Sequence, residues 1–323
     1  MRHDDSLVTI LLAGRLCAEG VQPFKASEFW RLLDANGGGM DPAVLLNKGE
    51  AQLVQDHGLP ADVAGRVVGL SQRATAVAFE LERLEQSGIR TVTVFDEHYP
   101  SGWRHRLAAK APPLLYAAGA IEQLGTLGLG VVGSRDVSPE GGEVARECAR
   151  LAARRGIPLV SGGARGVDQT AMDAAFEAGG AVVGILAESL SRKLKRPDVR
   201  RAVHEGSTVI CTPYSPDAAF SVGSAMGRNK LIYAQSALTL VVASDYGTGG
   251  TWSGATEALK HGYGEVAVWR GDGEGPGNAE LEQRGALPVA SLCDIEERLD
   301  DVVNRGLEPL AAAAPTLGQQ SLL

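Results

Sequence analysis

The chain has 323 residues, 22% of them charged, and its Lys+Arg 31 against Asp+Glu 39 leave a net charge of −8. That balance gives no global attraction for nucleic acid, so any such binding has to come from a local patch. The length suits a doubly wound domain with something smaller beside it, and the four separated cysteines (Cys17, Cys148, Cys211, Cys293) show no metal-ligand spacing and read as reduced core thiols.

The first apolar run is broken by Arg15, too early for a membrane span, and no convincing cleavage site follows it. A cytoplasmic protein with no membrane contact is expected. From Ser6 to about Ser87 the apolar positions recur at three and four (Phe29, Leu32, Leu33; Val63, Val67, Val68; Val77, Leu81, Leu84), interrupted by Gly37-Gly38-Gly39 and Gly58-Leu59-Pro60. This predicts a small all-α domain over residues 1–87. The turn at Gly58-Leu59-Pro60 suits a helix-hairpin-helix that offers N–H groups to DNA, but a bundle needs the same turn for packing alone. Thr91 to Phe95 then alternates as a strand, and Ala111-Pro112-Pro113-Leu114-Leu115-Tyr116 reads as an extended connector.

The stretch from Leu129 to Asp168 carries the strongest signal. Val131-Val132 runs into Gly133-Ser134-Arg135, and Leu159-Val160 runs into Ser161-Gly162-Gly163-Ala164-Arg165. Between them Ser138-Pro139 opens a helix, with Pro at a favoured first position and Glu140 near the positive end of the macrodipole. Glycines allow a sharp turn after each strand, and the N–H groups at the next helix start favour an anion that Arg135 and Arg165 would help neutralise.

Beyond Asp168 come a helix from Gln169 to Glu177, a strand from Ala181 to Leu186, and a basic run in which Arg192, Lys193, Lys195, Arg196, Arg200 and Arg201 fall within ten residues. Such a run is either a solvated face or a phosphate track. After the strand Thr208 to Cys211, the residues Gly227-Arg228-Asn229-Lys230 are expected to begin a helix. The strand from Leu238 to Ala243 follows and ends at Gly247-Thr248-Gly249-Gly250-Thr251, a second phosphate-cradle signal that opens the helix bearing Glu257. A strand Glu265 to Trp269, a helix Ala279 to Arg284, a strand Leu287 to Val289 and a helix Ile295 to Arg305 complete an α/β domain over 88–306, with an extended Rossmann-like, doubly wound and mostly parallel sheet. The low-complexity tail, 307–323, is expected to be disordered. No metal or other cofactor is expected. No Cys/His/Asp cluster is evident, and the histidines have no catalytic pairing in sequence.

In their order, the DEHYP element, PPLLYAAG, GVVGSR, SGGARGVD, the TPYSP…GRNKLIYAQS block and the helix ending in ATEALKHG resemble the DNA-processing protein A (DprA/Smf) family, over roughly Leu84 to Leu292. The resemblance implies an extended Rossmann-like fold that binds single-stranded DNA, dimerises and hands the strand to the recombinase RecA. It makes Arg135, Arg165, Arg228 and Lys230 the pocket cations, with Asp168 and the glycine loops around them. Tyr214, Phe220 and Tyr233 are the aromatics nearest to hand for base stacking, and core packing accounts for at least two of them.

The loop GTGGTWSGATEA departs from the family pattern and is closer to the phosphate loop of LOG-like phosphoribohydrolases. In that alternative a nucleotide is hydrolysed by Glu257 with Arg135 or Arg165; a further alternative is a nucleotide-binding sensor. Many members of the family end in a winged helix, which the residues after Glu308 are too few to build. The terminal Gln319-Gln320-Ser321-Leu322-Leu323 resembles a sliding-clamp docking peptide, with Gln319 at the rim and Leu322 and Leu323 in an apolar pocket.

Overall fold

The structure, a computed structural model, describes residues 3–34 and 39–304. Gly37 and Gly38 of the first interruption, the tail and the clamp-like residues Gln319, Leu322 and Leu323 lie outside the described residues.

Five helices open the chain: α1 (His3–Ala13), α2 (Ala26–Leu33), α3 (Glu50–His57), α4 (Ala61–Ser71) and α5 (Ala74–Gln86). The turn after α3 is made by Gly58 at φ 63°, which lets Leu59 drop into the core before Pro60 leads into α4. The helical expectation for this region holds.

Strand β1 (Arg90–Thr93) stops short of Phe95 because the Asp96 carboxylate accepts from the Thr93 amide and hydroxyl and folds the chain into a turn. After α6 (Ser101–Leu107) the expected connector is instead β2 (Leu114–Gly119), a strand antiparallel to both β1 and β6. Prolines 112 and 113 sit just before it, where no ladder bond is lost.

The remaining elements are β3 (Gly128–Val132), α7 (Pro139–Arg154), β4 (Leu159–Ser161), α8 (Val167–Glu177), β5 (Val182–Ile185), α9 (Leu190–Lys193), α10 (Pro197–Glu205), β6 (Thr208–Thr212), α11 (Val222–Gln235), β7 (Ser236–Val241), α12 (Gly249–His261), β8 (Glu265–Trp269), α13 (Asn278–Gln283), β9 (Leu287–Val289) and α14 (Leu292–Asn304). The sheet runs β1-β2-β6-β5-β4-β3-β7-β8-β9, with every pair from β6 to β9 parallel. Fully apolar strands are what a sheet covered on both faces requires. Leu129, Val131 and Val182 face α7, α8 and α14, while Val132, Val183 and Ile185 face the side of α11 and α12.

From β3 the chain steps outward through β4, β5 and β6, then returns to lay β7 on the other flank of β3. The loops after β3 and β7 therefore diverge to opposite faces, and the crevice between them is the place where such sheets bind ligands.

The N-terminal helices pack onto the same core. Trp30 Nε1 donates to Ala111 O at 2.8 Å, and Phe29, Leu53 and Val67 share one continuous apolar cluster with Trp103 and Leu231. One sequence expectation is corrected by burial: Cys148 and Cys211 are core thiols, but Cys17 and Cys293 are exposed.

Candidate functional site

The β3 loop is fixed from both sides. Ser134 N–H donates to Ala243 O at 2.8 Å, which ties it to the end of the β7 segment, and Val167 N–H donates to Ser134 O at 3.2 Å, which ties it to the start of α8. A Cβ on Gly166, whose φ is 87°, would lie 2.3 Å from Ser134 O, so only glycine lets the two loops come this close. Behind them, α7 is capped as its sequence predicts: Ser138 Oγ accepts from Gly141 N at 3.1 Å, and Pro139 takes the first helical position.

Asp168 lies in the first turn of α8 and is buried. Its Oδ2 accepts from Gly162 N at 3.1 Å, and Arg228 Nη1 stands 3.9 Å away. Burial pushes the Asp168 carboxyl above its ordinary value; the Arg228 charge and the N–H groups of Gly162, Gly133 and Ala164 oppose that shift. Arg228 is itself 6% exposed, its guanidinium lies directly over Gly162, and its Nε and Nη1 have no hydrogen-bond partner. A buried cation with unmet donors is costly unless something anionic completes it.

Gly227-Arg228-Asn229-Lys230 does not begin a helix. It falls in the middle of α11, which starts six residues earlier than Arg228 with a reciprocal cap: Ser221 Oγ accepts from Ser224 N, and Ser224 Oγ accepts from Ser221 N, both at 3.0 Å. The small residues around Ser221 hid this start in the sequence. A mid-helix position has a consequence, because residues two apart do not share a helix face. Arg228 and Asn229 look into the cleft beside the β3 loop, whereas Gly227 and Lys230 line a different cavity on the far side of α11.

The β7 loop completes the cleft. Thr248 precedes α12, Gly249 holds φ 85°, and Asn229 Nδ2 donates to Gly250 O at 2.9 Å, fastening α11 to the α12 start. Thr248, Gly249, Gly250 and Thr251 line the cleft together with Gly133, Ser134, Arg135, Asp168, Arg228 and Asn229, enclosing about 520 Å³. Gly247 lies just outside that wall. Three anion-favouring features thus converge: the β3 loop, the α12 N-terminus and the Arg228 guanidinium.

Gly162, Gly163 and Arg165 line an adjoining groove of about 790 Å³ that shares Arg135, Ala164, Phe220 and Arg228 with the cleft. Arg165 is 75% exposed and pairs with Asp136 at 2.7 Å. Of the basic run, Lys193 and Arg196 reach this groove, and both are paired, with Glu188 at 3.2 Å and Asp198 at 2.6 Å.

Among the aromatics, Tyr233 is buried and Tyr214 donates its hydroxyl to Ser224 O at 2.8 Å, while Phe220 is exposed on the rim with the Arg135 guanidinium 5.9 Å from its ring centre. Val222 and Met226 extend that apolar rim. They carried no signal in the sequence because their chemistry is that of ordinary core residues. Glu257 is separated from all of this. It sits two turns along α12, outside the lining, where its Oε1 accepts from Tyr263 Oη at 3.2 Å, so neither Arg135 nor Arg165 is gathered with it.

The fold defines a doubly wound α/β protein with a crevice at its switch point, lined by the β3 loop, the α12 start and Arg228. The family model described as DNA recombination-mediator protein A matches residues 90–300, and the chain belongs to that family. Its relatives include a putative DNA processing protein DprA of Mycobacterium tuberculosis, 28% identical over 195 residues (56% of this chain, 50% of the relative), and protein Smf of Escherichia coli, 28% identical over 257 residues (77% and 67%). The chain thus matches about half the length of the Mycobacterium relative. In fold it is similar to DNA processing protein A of Streptococcus pneumoniae, with a TM-score of 0.58 at 20% identity over 85% of this chain and 98% of that one. It is likewise similar to DNA processing protein A of Helicobacter pylori, a structure described for its single-stranded DNA binding mode, with a TM-score of 0.55 at 24% identity over 68% and 98%.

Proposed function

We propose that the protein binds single-stranded DNA through the switch-point cleft and presents the strand to a recombinase of the RecA type. The observation that carries this reading is the convergence of the β3 loop, the α12 N-terminus and the buried, under-satisfied Arg228 on one cleft of a chain whose net charge is −8. A backbone phosphate seats against the N–H groups of Gly249 to Thr251 at the start of α12, with the Arg135 fork closing over it. The neighbouring base lies on Phe220 and Met226 at the rim, which takes any base because every base has a stacking face. Membership of the DNA recombination-mediator protein A family and the single-stranded DNA named for the Helicobacter pylori relative support the choice of ligand.

Hydrolysis of a nucleotide by Glu257 has no support from this geometry, since the carboxylate lies outside the cleft. A titration of fluorescent oligo-dT against a panel of mononucleotides and dinucleotides tests the proposal. Oligo-dT binds in preference, Arg135→Ala weakens it by about tenfold or more as a charged contact requires, and Arg165→Ala has a smaller effect because Arg165 is exposed and already paired. Preference for a mononucleotide with oligo-dT ignored overturns it.

A further inference from the structure

Lys230 is left over when Arg228 and Asn229 are assigned to the switch-point cleft. It lines a second cavity of about 220 Å³ at the seam where the N-terminal helices meet β2 and α11. Arg15 and Lys25 enter from the N-terminal side, and Lys110 and Lys230 from the α/β side. Four cations line this cavity, and its lining includes no carboxylate, in a chain with eight more acidic than basic residues.

The site is partly desolvated. Lys230 is half-buried and its ammonium is pushed below its ordinary value, chiefly by that burial; Glu257 counteracts this and Lys110 adds to it. Lys110 Nζ donates to Tyr263 Oη at 2.8 Å, the same hydroxyl that donates to Glu257, while the Glu28 carboxylate accepts from the Lys25 amide and pairs with Arg66 at 3.1 Å; neither carboxylate lines the cavity. The walls are flat and apolar, with the Tyr214 ring and Pro112, Pro113 and Pro213. Tyr214 is pinned by its bond to Ser224 O, and a Cβ on Gly227 would lie 2.7 Å from its hydroxyl, so glycine is what lets the ring lie against α11. Tyr116 also lines the cavity, and its buried hydroxyl has no hydrogen-bond partner.

We infer that this seam cavity is a second binding site for a phosphate ester bearing a flat base, the phosphate held by Arg15, Lys25, Lys110 and Lys230 and the base set against Tyr214 and the prolines. Like charges gathered at a partly buried seam repel, and an anion offsets that repulsion. The inference stands independently of what fills the switch-point cleft, because the two cavities have no lining residue in common. Two sources share the chemistry: a free nucleotide, and a further nucleotide of a strand that passes α11.

The test uses the full chain with two probes, fluorescently labelled thymidine monophosphate and fluorescent oligo-dT. The double variant R15E/K25E reverses two exposed charges without touching the core, and Lys230→Gln removes the half-buried one. Each is compared with Arg135→Ala, and circular dichroism reports that the fold is kept. The expected result is about tenfold weaker binding of at least one probe in R15E/K25E, and a loss in the same probe in Lys230→Gln. Loss confined to the mononucleotide assigns a free nucleotide. Loss that includes oligo-dT, with a salt slope flatter by about 0.7 per contact removed, assigns a second seat on the strand. Unchanged affinity for both probes in R15E/K25E overturns the inference.

Discussion

Gly162 is the residue on which the cleft's charge arrangement turns. A Cβ there would fall 1.3 Å from Arg228 Nη1, so Gly162→Ala has to displace the guanidinium and not merely crowd it. Overpacking of this kind costs about 1–3 kcal/mol. We expect a lower urea midpoint and oligo-dT affinity close to that of an Arg228 variant, measured on the same preparation. The Asp168 carboxyl supplies a pH signature. Its partner lost, as in Arg228→Met, the buried carboxyl rises further above its unfolded value, so the ionised form destabilises the fold. A raised carboxyl pKa leaves stability intact below the unfolded value and removes it as pH climbs toward the folded one. The deficit of Arg228→Met relative to the parent therefore widens from acid toward neutral pH and approaches about 3–5 kcal/mol, the usual cost of breaking a buried pair. Urea titrations at acid and neutral pH check this; a deficit independent of pH contradicts it.

At the scale of elements, two loops and one helix make the cleft, and their legibility in the sequence differed for physical reasons. The glycine-rich strand ends and the Ser138-Pro139 start of α7 were readable because their chemistry is local: turn, cap and fixed φ. Ser138→Ala tests that local layer. Loss of its bond to Gly141 N costs about 1 kcal/mol of stability, and oligo-dT affinity changes little because the β3 loop is held by Ala243 and Val167 instead. What stayed hidden depends on the third dimension. The start of α11 is marked only by a Ser221/Ser224 cap among small residues, so the periodicity that splits Arg228 from Lys230 could not be phased. The strand at Leu114–Gly119 looked like a connector because its partners, β1 and β6, are antiparallel neighbours brought in from distant sequence. Glu257 was drawn to the phosphate loop by sequence distance, whereas two helical turns carry it away.

The whole molecule behaves as one packed body in its described parts. The apolar cluster that joins Phe29, Leu53 and Val67 to Trp103 and Leu231 packs the N-terminal helices onto the α/β part across residue 87. A single cooperative unfolding transition is expected, with circular dichroism and thiol alkylation giving coincident midpoints. Burial pushes the Cys148 and Cys211 thiols up to about 12, so they stay unlabelled until that transition, whereas Cys17 and Cys293 alkylate in the native protein. Two separated midpoints contradict the shared core. Among the described residues no helix is long and apolar enough to cross a membrane, and the switch-point cleft sets Arg135 and Arg228 beside Asp136, Asp168 and Asp245.

That cleft is the central claim, and salt tests it most directly. The affinity of the full chain for fluorescent oligo-dT is measured across a series of salt concentrations, for the parent and for Arg135→Ala. If backbone phosphates sit in the cleft, log affinity falls linearly with log salt at about −0.7 per phosphate contact, and Arg135→Ala flattens the slope by about one contact. An affinity indifferent to salt, or a slope that Arg135→Ala leaves unchanged, contradicts the account.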